Sequence, residues 1–302
     1  MLADAREPAI LPWLLDCTPD QPVGETEHVR LLPCARPSGR IASVPRRSRP
    51  AYGGQGRRPV LTRTGRPASH TLACMGTVIL VRHGRTAANA RGILAGRTAG
   101  VALDKTGRGQ AERTAERLAV VPLVGVVSSP LERCRETTRA ILDRQQDSPA
   151  LRIERGITEC DYGEWQGRPL SELSREPLWA QVLRTPASVV FPGGESMAGM
   201  QARAVAAIRR QDEAFVSQYG PGAVWAAVSH GDPIKSILAD ALGMHLDLFQ
   251  RITVGPASVS IVRYGDGHPE VVVTNTDAGD LSWLRANTSR TDAPVGGGAD
   301  GH

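Results

Sequence analysis

The stretch VILVRHGRTAAN, residues 78–89, decides the reading of this chain. Its four apolar residues, Val78 to Val81, run directly into Arg82, His83 and Gly84. An unbroken apolar run rich in Val and Ile reads as a short strand buried on both faces. It stops on a cation, an imidazole and a glycine rather than on a polar turn. A second buried strand, AVWAAVSH at 223–230, stops the same way, with Gly231 after His230. A third, LVGVVSS at 123–129, passes through Pro130 into the helical stretch LERCRETTRAILDRQ, whose first turn carries Arg133 and Arg135. In open α/β sheets the loops beyond the carboxyl ends of the strands build the site. Three such strand ends here present His83, Arg133 and His230.

Working outward, the pattern alternates. TGRGQAERTAERLA (106–119) is helical, with Ala111, Ala115, Leu118 and Ala119 on one side. ALRIE (150–154) reads as a short strand, and a loop-rich insert follows from Gly156 to about Ser196. MAGMQARAVAAIRRQDEAFVSQY (197–219) is a long amphipathic helix. Pro233 suits the first position of the helix PIKSILADALG. ASVSIVRY and PEVVVTN read as two strands joined by the turn GDG at 265–267. Strands alternating with helices predict an α/β fold: a three-layer sandwich with a mostly parallel central sheet and helices on both faces.

The flanks read differently. Residues 1–75 hold eleven Arg against six Asp and Glu, which accounts for the whole formal charge of +5, so the rest of the chain is balanced. Ten of the 22 prolines lie there. This composition cannot bury enough apolar area to offset its ordering entropy, so residues 1–75 are expected to be a disordered Arg/Pro-rich extension. A start at Met75 is the competing expectation. Few aromatics and no helical period argue against a nucleic-acid partner. Residues 76–284 are expected to form the folded domain, and 285–302 a disordered tail. Five scattered cysteines without a CxxC pair argue against a disulfide framework or zinc site. The run AILPWLL is too short to span a bilayer and follows Asp4 and Glu7 rather than a basic region. The expectation is a cytoplasmic protein with no membrane partner.

Two arginines and a second histidine around one imidazole make a dense positive pocket without a local acid. The planar fork of arginine matches a phosphoryl group. A neutral imidazole attacks phosphorus when its other nitrogen is tied up as a donor, and neighbouring cations keep it neutral. Phosphoryl transfer then needs an acid for the leaving group. Glu159, in ITECDYGEWQG, fills that part best, with Asp161 and Glu164 competing on the same grounds.

LVRHGRTAAN resembles the signature of the histidine phosphatase superfamily, also called phosphoglycerate mutase-like. LDKTGRGQA (103–111), SSPLERCRETT (128–138), ECDYGEWQG (159–167), GGES (193–196) and VSHG (228–231) resemble its further motifs, in the family's order. The resemblance covers roughly residues 76–284. It implies His83 as a nucleophile that becomes phosphohistidine. It implies that Arg82, Arg133 and His230 hold the phosphoryl oxygens with help from Asn89, and that Glu159 donates the proton. Arg135 has no assigned place and is expected on the helix surface. The family needs no metal or organic cofactor for hydrolysis, and the expected partner is a small phosphomonoester. CDYGEWQG is closer to the phosphatase branch than to the RHYG typical of cofactor-dependent mutases, so hydrolysis is the expectation. A phosphomutase and a non-catalytic phosphate-binding module are the alternatives. Specificity is expected from the insert at 167–195 and the loop near Phe249 to Ser258, where Trp165, Trp179 and Phe191 offer either core packing or an apolar wall for a ring.

Overall fold

The computed structural model describes residues 76–265 and 267–277. The expectations for residues 1–75, for the stretch from 278 onward and for Asp266 of the GDG turn lie outside the described residues. The chain runs β1 (Gly76–Arg82), α1 (Ala87–Ala90), α2 (Lys105–Leu118), β2 (Gly125–Ser128), α3 (Glu132–Leu142), β3 (Ala150–Ile153), α4 (Leu170–Leu173), α5 (Trp179–Arg184), α6 (Met197–Tyr219), β4 (Val224–Ser229), α7 (Gly231–Ala241), β5 (Val259–Tyr264) and β6 (Glu270–Thr276).

The strands make one six-stranded sheet in the order β3-β2-β4-β1-β5-β6. The pairs β3–β2, β2–β4 and β4–β1 are parallel, while β5 runs antiparallel to β1 and to β6. The register sets Arg82 beside Ser229 and Ser128 beside Val228, so β1, β2 and β4 end at one level. His83, Ser129 and His230 are the next residues of the three strands, and they emerge together.

Side chains alternate across the sheet, and both faces are covered. Val78, Leu80, Val127, Trp225 and Ala227 pack on one side with α6, α7 and the insert. Ile79, Val81, Val126, Ala226 and Val228 pack on the other with Ala115 and Leu118 of α2 and Cys134 and Ile141 of α3. Each large aliphatic chain so buried contributes roughly 1.5–3 kcal/mol. That is why the runs at 78–81 and 225–228 carry no polar residue. The fold is the three-layer α/β arrangement expected from the alternation of elements.

Two local expectations are corrected. Helix α7 begins at Gly231, two residues before Pro233, with His230 as its N-cap residue. The first four N–H groups of a helix have no intrahelical acceptor, so a proline at the third position loses no bond. The insert is also more ordered than a loop: it contains α4, α5 and 3₁₀ turns at Gly163–Trp165 and Pro186–Ser188. Trp165 stacks on Trp179 at 6.0 Å and meets Phe191 edge-on at 5.3 Å. All three rings are buried, so they form the core of the insert and not a wall for a ligand. No helix among the described residues is long and apolar enough to cross a membrane.

Candidate active site

His83 leaves β1 with its backbone N–H donating to Ser229 C=O (3.0 Å) and its own C=O accepting from Ala257 N–H (3.1 Å). The ring is buried. Nδ1 lies 2.7 Å from Gly84 C=O, and Nε2 lies 3.1 Å from Arg133 Nε. A carbonyl only accepts and a guanidinium only donates. The proton is therefore on Nδ1, and Nε2 carries the lone pair. Burial, then Arg133 and Arg82, hold this imidazole well below its usual range, so it is neutral near pH 7.

Arg133 sits in the first turn of α3 and is buried. Beyond Nε, its Nη2 donates to Gly96 C=O at 2.7 Å, while Nη1 is buried with no hydrogen-bond partner among the described residues. A buried donor without an acceptor is costly, and an anion beside His83 would satisfy it. Arg82 is buried as well, with Nη1 donating to Val254 C=O at 2.8 Å. Burial lowers its pKa to about 10, against the pull of Glu159 and Asp232, so it stays a cation at neutral pH.

The His230 ring lies 5.2 Å from that of His83, centroid to centroid, at 64°. Its Nε2 is 2.7 Å from Ser129 Oγ and 3.4 Å from Cys134 Sγ. Burial and the Arg133 charge also hold His230 well below the usual imidazole range. Cys134 is a buried thiol pushed up to about 12 by desolvation, so it is no nucleophile at neutral pH.

Glu159 is buried, and its Oε1 accepts the Cys160 N–H at 3.0 Å. Burial and then the charge of Asp232 raise its pKa to about 7, against Arg133, the Cys160 N–H and Arg82. The competing carboxylates are placed otherwise. Asp161 is bound by Arg97 Nη1 at 3.2 Å, and Glu164 is exposed. Of the three, Glu159 alone is buried, and Arg82 and Arg133 both act on its carboxyl.

Several residues of this neighbourhood went unread in the sequence. Arg203 of α6 donates from Nη1 to Gly156 and Thr158 C=O (2.7 Å each) and from Nη2 to Glu159 C=O (3.0 Å). Its fork also grips Glu195, at 2.9 and 2.6 Å. Glu195 in turn accepts Asp161 N–H at 2.8 Å and Arg97 Nη2 at 2.8 Å. The GGES motif, quoted without a role, thus pins the loop that carries Glu159. Asp232 and Tyr162 were missed too. The pocket was expected to lack a local acid, yet Asp232 is buried two residues past His230. Its place in the first turn of a helix disguises it as an ordinary helix-start carboxylate.

Asn89 sits on α1, where its Oδ1 accepts from Thr86 N–H (3.1 Å) and Thr86 Oγ1 (2.8 Å) in a capping box. Only its amide nitrogen remains for an anion. Arg135 is exposed on the surface of α3, as expected. The loop expected to bear on specificity does reach the site, through Val254 on Arg82 and Ala257 on His83. At Gly84 the backbone passes against that of Gly107: a Cβ on Gly84 would collide with the Gly107 carbonyl, and a Cβ on Gly107 with the Arg85 backbone. Among the described residues, no group of three or more His, Cys, Asp or Glu is arranged to hold a metal ion.

Two buried neutral imidazoles and two buried guanidiniums converge where the parallel strands end. The family model described as histidine phosphatase superfamily (branch 1) matches residues 78–277, and the chain belongs to that superfamily. The bifunctional protein Rv2228c of Mycobacterium tuberculosis is 30% identical over 201 residues, covering 66% of this chain and 53% of its own. This chain therefore spans about half the length of that relative. A 2,3-bisphosphoglycerate-dependent phosphoglycerate mutase of Gloeobacter violaceus is 29% identical over 170 residues, 55% of this chain and 75% of that one. Among solved structures, the mycobacterial glucosyl-3-phosphoglycerate phosphatase Rv2419c superposes with a TM-score of 0.59 at 23% identity, covering 67% of this chain and all of that one. At that identity the likeness speaks for the fold alone.

Proposed function

We propose that the chain is a phosphomonoester hydrolase that works through a phosphohistidine at His83. The observation that carries the reading is the state of that ring: Nδ1 tied to Gly84 C=O, Nε2 unprotonated, and an unpaired Arg133 N–H beside it. In the first step the Nε2 lone pair attacks phosphorus. The P–O bond to the leaving group breaks, its electron pair goes to the departing oxygen, and Glu159 gives that oxygen its proton. The positive charge left on the imidazole is met by the Gly84 carbonyl at Nδ1–H. Arg82, Arg133 and His230 hold the equatorial oxygens, and Asn89 adds its amide nitrogen. In the second step water attacks phosphorus and loses its proton to the Glu159 carboxylate. The P–N bond breaks, the pair returns to Nε2, and phosphate leaves. Preorganised donors aimed at a developing charge are the usual source of most of the rate in such chemistry.

A phosphomutase uses the same core, and the likeness to the Gloeobacter violaceus mutase favours keeping it as the second reading. The two are separated by assaying p-nitrophenyl phosphate and a panel of alkyl phosphates against 3-phosphoglycerate with 2,3-bisphosphoglycerate. Release of inorganic phosphate supports hydrolysis, isomerised phosphoglycerate supports the mutase, and turnover of neither would leave a phosphate-binding module. The role of Glu159 is tested by the leaving group. Glu159→Gln is expected to slow alkyl phosphates by roughly 10²–10⁴-fold, the range of general acid catalysis, and p-nitrophenyl phosphate far less. Equal losses on both esters would remove Glu159 from the role.

A further inference from the structure

Arg133 and Glu159 reach the site from different elements, α3 and the loop after β3. One short segment touches both. Gly96 C=O accepts from Arg133 Nη2 at 2.7 Å, and the next residue, Arg97, donates from Nε to Glu159 C=O at 2.9 Å. The segment is a tight turn in which Thr98 N–H donates to Ala95 C=O at 3.0 Å and Gly96 has a φ of 51°. A Cβ on Gly96 would meet the Gln166 side chain, whose Oε1 accepts the Arg97 N–H.

The carbonyl that Arg97 holds belongs to the peptide between Glu159 and Cys160. The other end of that planar unit is the Cys160 N–H, which donates to Glu159 Oε1 at 3.0 Å. Fixing the carbonyl therefore fixes the donor that orients the carboxyl. The rest of the Arg97 fork acts on the same stretch: Nη1 donates to Asp161 at 3.2 Å, and Nη2 to Glu195 at 2.8 Å, whose Oε1 also accepts the Asp161 N–H. Arg203 shares the Glu159 carbonyl, but it also holds those of Gly156 and Thr158 and so anchors the whole loop to α6. The hydrogen bonds of Arg97 to the loop begin at Glu159. Its side chain and that of Asp161 are each 33% exposed. Ion pairs so exposed add little stability, so the fork contributes direction more than cohesion.

We propose that Arg97 is a positioning residue for the proton transfer. Through the Glu159–Cys160 peptide it aims the Glu159 carboxyl, and through Gly96 it ties that aim to Arg133, which holds the phosphoryl group. Arg97 itself gains and loses no proton in the cycle. The proposal rests on the reading of Glu159 as the proton donor. Without Arg97 the peptide can turn and carry the carboxyl off its line, while the Nε2 lone pair of His83 and the Arg133 guanidinium stay in place. The cost then falls on the departure of a poor leaving group.

The test compares kcat and KM for a glycerol phosphate and for p-nitrophenyl phosphate in wild type, Arg97→Lys, Arg97→Ala, Glu159→Gln and the double variant Arg97→Ala with Glu159→Gln. In Arg97→Ala, kcat on the glycerol ester should fall roughly 10–10²-fold, the scale of a small misplacement of a reacting group. The nitrophenyl ester should lose far less, because its leaving group needs no proton. KM for both esters and the acid-labile label on His83 should hold. Arg97→Lys should recover only part of the loss, since one ammonium cannot meet a carbonyl and two carboxylates together. The double variant should be no slower on the glycerol ester than Glu159→Gln, because an absent acid needs no aiming. Equal losses on both esters in Arg97→Ala and Arg97→Lys would overturn the proposal and give Arg97 a part in folding or in phosphoryl binding. Unchanged turnover of the glycerol ester would overturn it too, as would losses that multiply in the double variant. In each of those cases a Glu159→Gln variant still selective for the poor leaving group leaves the acid assignment standing. A Glu159→Gln variant without that selectivity sinks both readings.

Discussion

His83 and His230 stand at the ends of adjacent parallel strands, each followed by a glycine, with ring centroids 5.2 Å apart. Both are buried and held neutral, yet their hydrogen bonds differ in kind. The His83 ring lies between a carbonyl, which only accepts, and a guanidinium, which only donates, so its tautomer is set. The His230 ring meets the Ser129 hydroxyl and the Cys134 thiol, each able to give or take a proton. One histidine is locked with its Nε2 lone pair pointing into the site. The other keeps a choice of which nitrogen carries the proton. Equal local sequence thus gave equal position, and the partners supplied from α3 and the β2 end gave unequal chemistry.

The largest effect expected on this asymmetry is at His83. His83→Ala should abolish turnover and leave no acid-labile, base-stable phosphate after rapid quenching with labelled substrate. His230→Ala should slow the reaction but keep the label. A label that survives in His83→Ala and vanishes in His230→Ala would reverse the assignment. Next comes Arg133→Ala, which removes the donor to Nε2 and the unpaired Nη1 together. It should cost about 2–4 kcal/mol of transition-state stabilisation, read as a drop in kcat/KM. Arg133→Lys should recover only part, because a single ammonium cannot contact His83, Gly96 and an anion at once. The smallest effect is at Ser129. Ser129→Ala deletes one neutral hydrogen bond to His230, a contribution of about 1 kcal/mol, so kcat/KM should fall about fivefold while the label on His83 persists. A loss at Ser129 as large as that at Arg133 would mean that the two histidines work as one coupled pair.

The strand ends were legible because each is a short contiguous signal. Val78 to Gly84 states a strand and its terminus in seven residues, and the same holds at 225–231. Glu159 was legible as one of three carboxylates; burial beside Arg82 and Arg133 is what sets it apart, and that depends on the whole sheet. Arg203 was not legible, since it acts on carbonyls 45 and 47 residues away and its own stretch reads as an ordinary amphipathic helix. Asp232 and Tyr162 meet across 70 residues for the same reason. The three rings at 165, 179 and 191 could be read as wall or core, because composition gives aromatic content but not the side from which a ring is covered.

The contact between Gly84 and Gly107 is made of main chain on both sides. Most tight contacts can be renegotiated: a larger residue at one position is accommodated by a smaller one opposite. Here neither partner has anything left to remove. The two positions should therefore fall silent together in any library selected for activity, each depleted of every alternative whatever stands at the other. A search for covarying pairs would pass over them, although the Gly107 backbone limits position 84 and the Arg85 backbone limits position 107.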